Sequence, residues 1–116
     1  MNTQVTYLYR DAANYKSSRV VVLEGELTRK EQLQVLTARH EGLWFIPSQV
    51  GLDDLQAQLT SFPDPDDHVW HELLEVTSVA VAADLELPTA QEFLQQMLAA
   101  KDKWKVKETA EKYGIK

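Results

Sequence analysis

The first regular pattern along the chain is an alternation. Val5, Tyr7 and Tyr9 take one parity and Thr6 and Leu8 the other, a β-branched and aromatic run of period two that predicts a strand over Val5–Tyr9. Asp11 to Asn14 are turn formers, and a second β-rich run, Ser18–Leu23, is closed by Glu24 and Gly25. Two such runs joined by a short loop predict an antiparallel hairpin with one face inward, on which Tyr7, Tyr9 and Tyr15 are read as cross-strand packing.

The period then lengthens. Thr28 and Glu31 stand at capping-box spacing, the hydroxyl placed to accept a backbone N–H and the carboxylate to reach back to the cap. They predict a helix over Arg29–Glu41, with Leu33, Leu36 and His40 in its apolar stripe beside Val35, and Gly42 ending it in a left-handed conformation. Leu43–Ile46 is wholly apolar and is stopped by Pro47, which predicts a short buried strand at the centre of the sheet. Leu52, Leu55 and Leu59 have the spacing of a short amphipathic helix, with Asp53 and Asp54 in its first turn. Pro63 and Pro65 break the pattern over Phe62–Asp67.

From His68 onward Trp70, Leu74 and Val76 fit one strand phase and Val79, Val81 and Ala83 the other. A phase break in a β-branched segment predicts a long or bent strand, His68–Val81, carrying a bulge. Thr89 and Glu92 repeat the capping-box spacing and open a helix over Thr89–Lys101 striped by Phe93, Leu94, Met97 and Leu98. A weak final helix, Glu108–Tyr113, belongs to a Lys-rich tail expected to dock loosely.

These elements define an α+β fold: an antiparallel sheet of about four strands with two main helices packed on one face. The single domain is expected over residues 1–103, followed by a basic tail over 104–116 that holds the short helix. Leu33, Leu36, Trp44, Ile46, Leu55, Val79, Val81, Phe93, Met97 and Leu98 are the expected core.

Composition narrows the function classes. A chain of 116 residues, 44% of them hydrophobic, holds one core without staples. There is no Cys, which removes disulfides, thiolate zinc sites and a Cys nucleophile, and fits a reducing cytoplasm. Neither a leader-like start nor an apolar run long enough for a bilayer is visible, so secretion and membrane insertion are not expected.

The net charge of −6 is uneven: between His40 and Ala100 there are eleven acidic residues and no Lys or Arg, whereas six Lys fall in Lys101–Lys116. Such a body repels nucleic acid and anionic lipid and suits a protein partner with a basic surface.

The residues with chemical potential gather at Asp66, Asp67, His68, Trp70, His71 and Glu72. Carboxylates and imidazoles are acid–base groups and metal ligands, but the order is not that of a helical HExxH site, and on a strand His71 points away from His68 and Glu72. The polar alternative is a loop leading into a strand, with Asp66 or Asp67 capping backbone N–H groups. Neither a Gly-rich phosphate loop nor a GxSxG elbow is present, Ser48 reads as a turn or cap residue, and no cofactor is expected. Trp44 reads as core, and Trp70 and Trp104, beside charged neighbours, as half-exposed anchors for a partner.

The candidate partner-binding set is therefore Asp66, Asp67, His68, Trp70, His71, Glu72 and Trp104. The leading functional reading is a non-catalytic interaction or regulatory module. Two alternatives stand beside it: an acidic mimic of nucleic acid that blocks a nucleic-acid-binding protein, and a small hydrolase or metal-dependent enzyme using the Asp66–Glu72 cluster.

FIPSQVGL at Phe45–Leu52, DDHVWHEL at Asp66–Leu73 and YRDAANYK at Tyr9–Lys16 together resemble a group of short uncharacterised bacterial proteins. The resemblance covers Tyr9 to Val76. It implies a stand-alone bacterial protein and transfers no functional residue.

Overall fold

A computed structural model describes residues 1–11, 14–56 and 68–115. Among these residues are four strands, β1 (Asn2–Arg10), β2 (Lys16–Leu23), β3 (Trp44–Phe45) and β4 (His71–Val79), and three α-helices, α1 (Arg29–Thr37), α2 (Ala90–Ala100) and α3 (Val106–Tyr113). The strands form one antiparallel sheet in the order β2-β1-β4-β3. No helix among the described residues is long and apolar enough to cross a membrane.

The alternation read in β1 sets the inner face. Thr3, Val5, Tyr7 and Tyr9 are all fully buried there, with Val21 and Leu23 beside them on β2. On the opposite edge Thr6 pairs with Glu75 but Tyr7 pairs with Leu73, so Leu74 is the extra residue of a β-bulge. The bulge lets Val76 and Leu73, three apart in sequence, both face the core, and leaves Leu74 about half exposed. The bend in this segment therefore lies at Leu74. The strand is shorter than the His68–Val81 expected: His68, Val69 and Trp70 precede it, held by side-chain bonds rather than by a ladder.

Both capping boxes form. The Thr28 and Thr89 hydroxyls each accept the N–H three residues on at 3.1 Å, and Glu31 and Glu92 accept the cap N–H at 2.9 and 3.0 Å. Val35 and Ala38 from the first helical region, and Ala90, Phe93, Leu94, Met97 and Ala100 from α2, share one core with the inner sheet face.

The first helix stops at Thr37 instead of running to Glu41. The Arg39 Nε–H donates to the Leu36 carbonyl at 2.8 Å, meeting one acceptor at the helix end, and Nη1 donates to the Leu73 carbonyl beside the bulge at 2.9 Å. Glu41 and Gly42 then take left-handed φ of 52° and 74°.

Three members of the expected core are outside it: Leu33 is 57%, Val81 56% and Leu98 39% exposed. A helical stripe wider than its docking face leaves its flanks in solvent, and Val81 lies beyond the end of β4. Leu36, Trp44 and Val79 are half-buried. The largest enclosed side chains include Tyr7, Tyr9, Phe45, Leu23, Leu27, Leu73 and His71.

The Leu43–Ile46 run contributes a two-residue edge strand rather than the centre of the sheet, because Pro47 diverts the chain into a 3₁₀ turn, Pro47–Val50. The turn ends at Gly51 with φ 86°, where a Cβ would sit 3.1 Å from the Pro88 ring. No helix has begun by Leu55, and the remainder of the one predicted to Leu59, with Asp66 and Asp67, lies outside the described residues. The C-terminal segment is held to the body: the Tyr113 hydroxyl donates to Asp54 at 2.7 Å, the Lys105 N–H donates to Gln49 Oε1 at 2.8 Å, and Thr109 is buried.

Candidate functional site

The segment His68–Glu72 is organised by backbone bonds to its own imidazoles. The His68 N–H donates to the Tyr9 hydroxyl at 3.2 Å, and the Gln56 amide donates to the His68 carbonyl at 3.1 Å. His68 Nε2 donates to the Arg10 carbonyl at 2.7 Å while Nδ1 accepts the Trp70 N–H at 3.1 Å. One donor and one acceptor define the neutral tautomer and use both ring nitrogens.

His71 repeats the arrangement in the core. Its Nδ1 donates to the Val69 carbonyl at 3.1 Å, Nε2 accepts the Leu55 N–H at 2.9 Å, and the residue is fully enclosed. Burial lowers its pKa from 6.5 to about 4, the Asp54 charge opposing this only in part, so the ring is uncharged at neutral pH. Glu72 points to the other sheet face, opposite Trp44, and is paired there with Arg10 at 3.0 Å.

The cluster read along the sequence therefore separates in space. His71 is core, Glu72 is almost enclosed and ion-paired, and each imidazole nitrogen of His68 and His71 is committed to the backbone. A metal ligand needs a free nitrogen lone pair and a general base needs one aimed at substrate. These two histidines offer neither in this arrangement. No group of three or more His, Asp or Glu is placed to hold a metal among the described residues.

What the fold brings together instead is aromatic. The His40 N–H donates to the Trp44 carbonyl at 2.7 Å and the Trp44 N–H returns a bond to the His40 carbonyl at 2.9 Å, closing a tight loop that sets both side chains on one surface. His40 stacks on Trp70 with centroids 4.6 Å apart and planes 8° from parallel. Trp70 meets Trp104 edge to face at 6.4 Å, and Trp44 meets His68 in the same manner at 6.4 Å. All three tryptophans are half-buried, so Trp44 joins Trp70 and Trp104 at the surface instead of lying in the core. Trp104 Nε1 is buried with no acceptor among the described residues.

Two depressions share the His40–Trp70 stack as a wall. One, of about 440 Å³, is lined by His40, Glu41, Trp44, His68 and Trp70. The other, of about 260 Å³, is lined by His40, Trp70, Asp102, Trp104 and Val106. Of the expected partner-binding residues, His68, Trp70 and Trp104 reach this surface. His40, Glu41 and Trp44 also line it: helical spacing places His40 in an apolar stripe and the apolar run places Trp44 in the core, and Gly42 between them is the one local sign that the chain turns there.

The acidic span is largely occupied by folding. Of its eight described acids, Asp53 pairs with Arg19 and Glu72 with Arg10, Asp54 accepts from Ser48 and Tyr113, Asp84 accepts the Val22 N–H, and Glu92 caps α2. Glu41, with its side chain 74% exposed, stands beside the aromatic depression. Comparison with family models, with curated proteins and with solved structures finds no match to this chain.

Proposed function

We propose that this protein is a non-catalytic interaction module that engages a protein partner with a basic surface through the face built from His40, Trp44, His68, Trp70 and Trp104. The observation that carries the reading is the gathering of three half-buried tryptophans, from positions far apart in sequence, at neighbouring depressions: Trp44 and Trp70 line one, and Trp70 and Trp104 the other. Trp is the residue most enriched in binding hot spots, and a half-exposed Trp presents a large rigid area that loses little entropy on contact.

The test is capture from bacterial lysate with three proteins in parallel: the natural sequence, Trp70→Ala, and Leu33→Asp as a surface control in the groove between α1 and α2. A bound protein lost with Trp70→Ala, kept with Leu33→Asp and weakened between about 50 and 500 mM salt, where screening shortens several-fold, is the expected result. Identical sets of bound proteins for the natural sequence and Trp70→Ala would end the reading.

A further inference from the structure

We infer that the depression lined by His40, Glu41, Trp44, His68 and Trp70 is a seat for an alkylammonium group, carried by a lysine side chain of the partner. This rests on the interaction reading above and names the chemistry recognised at its centre.

Four features of the depression select a cation. First, two of its lining side chains, Trp44 and Trp70, are indoles, the ring type that attracts an ammonium most strongly within about 6 Å of its centroid, and His40 covers one face of Trp70. Second, the Glu41 carboxylate stands at the rim, 3.6 Å from His40 Nε2 and mostly exposed, open to a cation arriving from solvent. Third, the lining contains no Lys or Arg, and the sequence from Glu41 to Ala99 contains none. Fourth, backbone bonds engage both nitrogens of His68, so what that side chain offers the depression is its ring surface.

The same features disfavour an anion. A phosphate or carboxylate would need N–H donors or a cationic side chain, and the His68 ring N–H is already spent on the Arg10 carbonyl. A purely apolar ligand would gain from the rings but nothing from the exposed Glu41 carboxylate. The edge-to-face contact between Trp44 and His68 and the His40–Trp70 stack pre-set the walls, and the depression has room for an aliphatic stem as well as its charged head.

The experiment is an NMR titration of the full chain labelled with ¹⁵N, following backbone and indole N–H signals. Four probes are added at equal ionic strength: tetramethylammonium, N-acetyl-trimethyllysine amide, N-acetyl-lysine amide, and 3,3-dimethylbutanol as the uncharged isostere. Saturable shifts centred on Trp44 and Trp70 are expected for the charged probes, with Kd in the millimolar range, as suits one small contact. The isostere should bind at least about tenfold more weakly.

Glu41→Gln, an exposed change that leaves the fold intact, should weaken the charged probes several-fold and leave the isostere unaffected. Equal binding of isostere and cation, or no saturable shift from any charged probe at about 50 mM, overturns the seat. Binding of tetramethylammonium without either lysine derivative overturns the lysine source. If these probes fail while the captured protein still depends on Trp70, the seat is wrong and the interaction surface stands. If the probes bind while capture is indifferent to Trp70→Ala, the protein partner is wrong.

Discussion

His71 Nε2 accepts the backbone N–H of Leu55 at 2.9 Å, an imidazole in the core tying the first residue of β4 to a loop 16 residues earlier. Loop backbone buried without a partner is costly, and a neutral imidazole supplies an acceptor there while its own N–H is met by the Val69 carbonyl. One imidazole of the acid–base cluster read in the sequence thus serves as a hydrogen-bonding group of the core.

A pH dependence of stability follows from it. The folded His71 takes its proton near pH 4, the unfolded one near 6.5. The unfolded chain therefore binds the additional proton between these values, so the contribution is complete above about pH 6.5 and falls away as pH drops towards 4. At 1.36 kcal/mol per unit the loss approaches roughly 3 kcal/mol. Urea unfolding at pH 7 and pH 4.5 should show this acid loss, and His71→Gln should be less stable at pH 7 but have a flatter acid limb. An unchanged limb in the variant would assign the acid sensitivity to the carboxylates instead.

Leu33 and Leu94 separate helical periodicity from burial. Leu33 is 57% exposed and Leu94 2% exposed, although each sits at an apolar position of its helix. Leu94→Ala should cost about 2–5 kcal/mol through lost burial and a cavity. Leu33→Ala should stay within about 0.5 kcal/mol, since Ala is the better helix former and little contact is lost. Thermal or denaturant unfolding of the pair decides it, and equal costs would place Leu33 in the core.

The C-terminal helix should be anchored through Tyr113 and Asp54. Burial and the bond to Asp54 hold the Tyr113 hydroxyl well above its usual pKa, so it remains a donor through the physiological range. Tyr113→Phe should raise amide hydrogen exchange over Val106–Tyr113 by about fivefold, the effect of losing roughly 1 kcal/mol locally, while β1 and β4 exchange as before. Unchanged exchange in α3 would assign its docking to the contacts around Lys105 and Thr109.

The stack of His40 on Trp70 should be visible in fluorescence. His40→Ala uncovers one indole face, so emission should shift to the red and quenching by iodide should increase, with stability changed by less than about 1 kcal/mol at this exposed position. Emission identical to that of the natural sequence would mean that the ring contact is not kept in solution.

Much of the fold was legible from local chemistry. The two capping boxes depend on residues three apart, and both helices begin where those residues stand. The odd-numbered face of β1 is a period-two statement and is buried without exception from Thr3 to Tyr9. The bulge announced itself as a phase break, though its position at Leu74 depends on which β1 residues it pairs with. The helix ends at Thr37, short of the expected Glu41, and Arg39 just beyond its cap is bonded to the Leu73 carbonyl, a partner 34 residues away that no local spacing reveals.

The candidate surface was the least legible part. Its residues come from the loop after α1, from β3, from the lead into β4 and from the segment between α2 and α3, and no spacing rule connects positions 40, 44, 70 and 104. The sequence by itself determined the strand faces, the helix starts, the acidic balance and the supply of Trp and His, because each depends on neighbours within a few residues or on simple counts. The tertiary structure alone decided that His71 faces inward to Leu55 while Trp70 faces outward to His40. That choice is set by sheet register, the bulge and the competition for buried backbone partners, all of which are long-range.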